Sequence, residues 1–175
     1  MRAPVDAERI RRFLHEAGKV AAPGTRLYLT GGASAVLVGW RVSTIDIDMK
    51  TVPESDAILR RIPSLKEELG INVELVSPSD FIPELPGWEA RCPSIGRDGN
   101  ASAFHYDFYA QALSKLERGH AQDVSDAEEM ARRGLVDRPR LLQLFEAIEP
   151  SLYRYPALDP AAFRRVVQEF VNRPA

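Results

Sequence analysis

The chain has 175 residues, 45% of them hydrophobic, with 23 Lys and Arg against 25 Asp and Glu. This is the balance of an ordinary globular domain that can bury a core without covalent staples. A single cysteine, Cys92, excludes an intramolecular disulfide, a Cys-x-x-Cys redox pair and a Cys/His metal cluster. No apolar run is long enough to span a membrane and the N-terminus lacks the apolar stretch of an export signal, so a soluble, cytoplasmic protein is expected.

Asp6 can cap a first helix, in which Ile10, Phe13, Leu14 and Ala17 recur at helical spacing before Pro23 and Gly24. A strand follows at residues 26–30. Gly31 and Gly32 then break the pattern before a short helix, 33–38, and residues 44–51 alternate as a strand. Ser55 caps a helix running through Ile62, Pro63 interrupts it, and 65–69 resumes before Gly70. Residues 72–76 read as a third strand. Residues 78–100, dense in Pro and Gly, read as a long loop with a hairpin running into 102–106. The remainder is helical in four segments, with Asp123, Asp137 and Asp159 as candidate N-caps. The expected fold is therefore α+β: a small mixed sheet with helices alongside, residues 1–107, and a C-terminal helical portion, 108–175, as one cooperative unit.

Two features carry chemistry. A pair of glycines opening a helix lets backbone N–H groups approach a polyphosphate, and the helix dipole favours the anion; Ser34 can add a hydroxyl donor. Alone, such a pair is more often a tight turn. The second feature is Asp46-Ile47-Asp48, where the strand period of two puts both carboxylates on one face. Two acids that close repel unless a cation compensates, which suits a hard ion with oxygen ligands. Arg41 and Thr44, just ahead of the acids, can contact phosphate or fix the loop. The tryptophans read as packing residues, and the three histidines form no metal-ligand spacing.

Thirteen residues separate Gly31-Gly32 from Asp46-Ile47-Asp48, a spacing that resembles the signature of the polymerase-beta-like nucleotidyltransferases. More narrowly, Gly31-Gly32-Ala33-Ser34-Ala35, Gly39, Arg41, Thr44 and the two aspartates resemble the bacterial DUF6036 group and the AbiEii-type toxins. The resemblance is strongest over residues 27–50; Thr30 stands where those families usually carry a hydrophobic residue.

The resemblance implies a transferase that moves a nucleoside monophosphate from a nucleoside triphosphate to an RNA (such as tRNA), protein or small-molecule acceptor. Two magnesium ions, or manganese in their place, would be held by Asp46 and Asp48 and by a third carboxylate, Glu74 on the next strand. Glutamate stands there in place of the more usual aspartate; Glu74 reads equally as an outward-facing acid, with Asp80 as the alternative. Lys115, Arg118, Asp123 and Asp126 resemble a lysine, arginine, Asp-x-x-Asp pattern that the AbiEii-type families associate with the active site. There Lys115 would reach the triphosphate from a solvent-facing side of its helix, and Asp123 would act at the site or simply cap the next helix. The biological role implied is the toxin of a toxin-antitoxin pair, with an antitoxin as partner and no membrane. The competing readings are a catalytically degenerate protein of the same fold that binds a nucleotide or partner, and a docking module. The second would use the C-terminal arginines, since residues 131–175 hold 8 basic and 5 acidic side chains.

Overall fold

The computed structural model describes residues 3–174. The chain packs as two compact units: one holds the described residues up to Ser77 together with Cys92–Tyr106, the other Pro78–Arg91 together with Asp107 onward. The segment Pro78–Arg91, which composition places in the loop of the α/β portion, thus belongs with the helices.

In the first unit, α1 (Ala7–Val20) starts where the Asp6 carboxylate accepts the Arg9 backbone N–H at 2.9 Å. Five strands follow in the chain, β1 (Thr25–Thr30), β2 (Asp46–Val52), β3 (Asn72–Glu74), β4 (Ser94–Asp98) and β5 (Ala101–His105), together with α2 (Gly31–Val38) and α3 (Asp56–Leu69). The strands form one mixed sheet in the order β3-β2-β1-β5-β4. Strand β1 runs antiparallel to β2 and parallel to β5, and β2 runs parallel to β3. One sheet face, bearing Leu27, Leu29, Ile47, Met49, Val73, Ala101 and Ala103, forms a single core with Ile10, Phe13 and Leu14 of α1 and with Ile58, Ile62, Leu65 and Leu69 of α3. Each large side chain so buried contributes about 1.5–3 kcal/mol, enough to fix which face of β2 is left for chemistry.

Four features differ from the sequence reading. Pro63 does not interrupt α3: it is exposed on the outer side, while Ile58, Ile62, Leu65 and Leu69 recur at helical spacing and hold both halves on the core. Helix α2 begins at the glycines themselves, not after them. Strand β2 starts at Asp46, because Thr44 is engaged in an isolated bridge with Val5. Strand β3 stops at Glu74, leaving Leu75 outside it and exposed. The expected hairpin is β4 and β5, joined by the two residues Gly99 and Asn100.

The second unit contains α4 (Phe108–Arg118), α5 (Ala121–Arg132), α6 (Arg138–Ile148) and α7 (Pro160–Asn172), with short stretches of 3-10 helix at Pro78–Asp80, Trp88–Arg91 and Glu149–Arg154. Asp137 caps α6 through the Arg140 N–H at 2.9 Å, and Asp159 caps α7 through Ala161 and Ala162 at 3.1 and 3.2 Å. Asp123 is not a cap: α5 begins two residues earlier, at Ala121. Asp107 caps α4 instead, buried and held by the Arg91 guanidinium at 2.7 Å. The core of this unit includes Leu113, Leu116, Met130, Leu141, Leu144, Phe145, Phe163 and Phe170; Phe145 and Phe163 meet edge to face at 4.9 Å. Among the described residues no helix is long and apolar enough to cross a membrane.

Candidate active site

The pleat of β2 places Ile47 and Met49 in the core, both fully buried, and Asp46 and Asp48 on the opposite face, both partly accessible. Register then decides their neighbours. Thr30 at the end of β1 lies across from Asp48, while Asn72 and Glu74 of β3 lie beside Asp46 and Asp48 respectively. Asp46, Asp48, Asn72 and Glu74 therefore share one face. The Asn72 amide Nδ2 donates to Asp46 Oδ1 at 2.7 Å and to Glu74 Oε1 at 3.3 Å. Among the described residues no three His, Cys, Asp or Glu side chains stand close enough to make a ready cation cage, so Glu74 joins this face without completing one.

The glycine turn abuts the same carboxylates. Gly31, the first residue of α2, has φ of +62°, a conformation that L side chains rarely adopt. A Cβ built there would stand 3.0 Å from Asp48 Oδ2. At Gly32 a Cβ would meet Thr44 Oγ1 at 2.0 Å and Arg41 Nη1 at 3.3 Å. The start of α2 is thus lined by Asp48 on one side and by Thr44 and Arg41 on the other. Thr44 is fixed by backbone bonds to Val5 at 2.6 and 2.9 Å, and its hydroxyl donates to the Asp46 carbonyl at 3.1 Å. One unit therefore gathers Gly31, Gly32, Arg41, Thr44, Asp46, Asp48 and Glu74. Two hard-oxygen carboxylates converging beside a helix N-terminus suit a divalent cation with a phosphate ligand.

Ser34 is placed differently from the sequence expectation. It is fully buried, and its hydroxyl lies 2.6 Å from His105 Nδ1. Burial pulls the His105 pKa down to about 4, so at neutral pH the ring is uncharged and shares one proton with the hydroxyl. That contact engages the group expected to reach phosphate.

In the second unit Lys115 is buried, not solvent-facing, and so is its neighbour Gln111. Lys115 Nζ lies 2.8 Å from Asp126 Oδ2 and 3.6 Å from Asp123 Oδ1, while Arg118 donates to Asp123 at 2.5 Å. The early start of α5 is the physical reason: Asp123 and Asp126, three residues apart, share the face that meets α4, and two carboxylates compensate one ammonium and one guanidinium. Five of the eight arginines from residue 131 onward are similarly engaged. Arg132 and Arg133 pair with Glu129, Arg138 and Arg173 with Glu128, and Arg164 with Glu149. None of these pairs includes Arg140, Arg154 or Arg165.

Sequence reasoning missed Asn72 and His105. Asn72 had a signal, standing two residues before Glu74 in an alternating strand; the pairing of His105 with Ser34, 71 positions apart, had none.

A strand, a glycine turn opening a short helix, and a returning strand with two acids on its free face, all within a five-stranded mixed sheet, define a small nucleotidyltransferase-like fold. The chain belongs to the DUF6036 family, described as a nucleotidyltransferase of unknown function, which matches residues 8–171. Neither a curated protein nor a solved structure matches the chain. Family membership places the protein among nucleotidyltransferases and implies a nucleotide substrate.

Proposed function

We propose that the protein is a divalent-cation-dependent transferase of the polymerase-beta-like type, moving a nucleoside monophosphate from a nucleoside triphosphate to an acceptor hydroxyl. The observation that carries this reading is the contact between carboxylate and turn: Asp48 Oδ2 lies 3.0 Å from the point where a Gly31 Cβ would stand. A phosphate seated on the backbone of Gly31 and Gly32 would share its cation with that carboxylate.

Asp46 and Asp48 would hold magnesium or manganese, with Glu74 as the third acid. When bound, the cations would assist ionisation of the acceptor hydroxyl and offset charge on the leaving diphosphate. The chain's own residues position the reactants. The α2 N-terminus orients the phosphate oxygens, and Arg41 adds a cation beside them. The acceptor oxygen bonds to the α-phosphorus as the bond to the bridging oxygen breaks and diphosphate leaves, the hydroxyl proton passing to solvent. Thr44 braces the strand entry by bonding Val5 and Asp46.

Lys115 and Asp123 enter this proposal only through the AbiEii-type resemblance. The proposed setting is the toxin of a two-gene module with an RNA or protein acceptor. That no three-acid cage stands ready among the described residues favours one second reading, a protein of this fold that binds nucleotide without turning it over.

Each α-labelled nucleoside triphosphate, incubated with the protein, magnesium or manganese, and total RNA or protein from a bacterial extract, tests the reading. Label transferred by the wild type and not by Asp46→Asn supports it. Tight cation-dependent nucleotide binding without transfer would favour the second reading.

A further inference from the structure

We infer that Asn72 is a positioning residue that organises the carboxylate site, tying Asp46 of β2 to Glu74 of β3 through one amide. The inference rests on the reading of those acids as cation ligands. Asn72 stands in register beside Asp46, and the two-residue period of β3 puts Glu74 on the same face. Carboxylate oxygens accept, so the NH2 end of the amide faces them. Its two protons serve one carboxylate each, at 2.7 Å to Asp46 Oδ1 and 3.3 Å to Glu74 Oε1.

Three consequences follow from this arrangement. With Oδ1 engaged, Asp46 has Oδ2 left to face a cation, in a fixed orientation. Glu74 is exposed and has three rotatable bonds; without the tether it would sample more solvent-facing rotamers. The amide also stands between two like-charged groups, to both of which it donates. A second carboxylate at position 72 would supply charge but no donor, so an amide is the side chain that fits between two acids.

Partners of metal ligands commonly change cation affinity by about 10–100-fold when removed. The experiment is manganese binding to the full chain, followed through the electron-spin-resonance signal of the free ion, in wild type, Asn72→Ala, Asn72→Ser and Val73→Ala. Val73 lies next to Asn72 but points into the core, 5% exposed, so its truncation destabilises the fold without touching the acids. The expected result is manganese affinity about tenfold weaker or worse in Asn72→Ala, an intermediate loss in Asn72→Ser, whose single donor can hold one carboxylate, and wild-type affinity in Val73→Ala. Urea unfolding of the same four proteins identifies any variant that fails to fold, and Asn72→Ser then carries the comparison. Wild-type affinity in both Asn72 variants would overturn the role of Asn72 and leave the cation site standing. Absence of manganese binding by the wild type itself would overturn both.

Discussion

Replacing Gly32 by alanine would place a methyl carbon 2.0 Å from Thr44 Oγ1 and 2.7 Å from Thr44 Cβ. A change of Thr44 rotamer moves the oxygen but not Cβ, so relief requires the Thr44 backbone to shift. That backbone is bonded to Val5 in both directions, at 2.6 and 2.9 Å. Overpacking against a fixed neighbour costs about 3 kcal/mol at the upper end of its usual range. Alanine in place of glycine within a helix returns about 1 kcal/mol. The net expectation is a loss of about 2 kcal/mol, or about 4–8 °C in Tm for a chain of this size. Because Thr44 also bonds the Asp46 carbonyl, cation-dependent nucleotide binding should weaken with it. Urea unfolding and calorimetry on Gly32→Ala, Thr44→Gly and the double variant test this. Removal of the Thr44 side chain should relieve the clash, so the double variant should lose less than the sum of the singles by more than about 1 kcal/mol. Strict additivity, or a Gly32→Ala protein as stable as wild type, would refute the close approach of turn and strand.

Lys115→Ala would leave Asp126, 1% exposed, without its ammonium; a loss of about 3–5 kcal/mol in urea unfolding is expected, partly recovered by adding Asp126→Asn. The depressed His105 pKa makes a pH prediction. The unfolded ring, with its ordinary value near 6.5, binds a proton that the folded ring, at about 4, refuses. Stability from this source is therefore full above about pH 6.5 and is lost as pH falls towards 4. The urea midpoint of His105→Gln should fall less steeply than that of wild type over this window, and parallel curves would contradict the assignment. Asp48→Asn should slow any transfer reaction by about a hundredfold or more, the scale of losing one preorganised electrostatic group; retention of the wild-type rate would remove Asp48 from the site.

The centre of the site was legible because it is local. Gly31-Gly32 and Asp46-Ile47-Asp48 lie within one strand-helix-strand passage, where strand period and turn chemistry suffice to put two acids on one face. What needed the structure was long-range. The partner of Ser34 is 71 residues away, and no periodicity points to it. Lys115 was misplaced because helical spacing alone puts charged residues outside, whereas its burial follows from two aspartates on the next helix. Pro63 misled for a related reason: local propensity breaks a helix there, but the four core contacts of α3 outweigh it. The segment 78–91 looked like part of a sheet loop because composition reports irregular backbone, not the unit against which it packs.

The measurement that bears most directly on the account is a calorimetric titration of the protein with each nucleoside triphosphate, with and without magnesium. It is run on wild type and on the Asp46→Ala, Asp48→Ala double variant. The account predicts binding that requires magnesium and that the double variant lacks while remaining folded. Binding of no triphosphate by the wild type, or equal binding by the double variant, would contradict it.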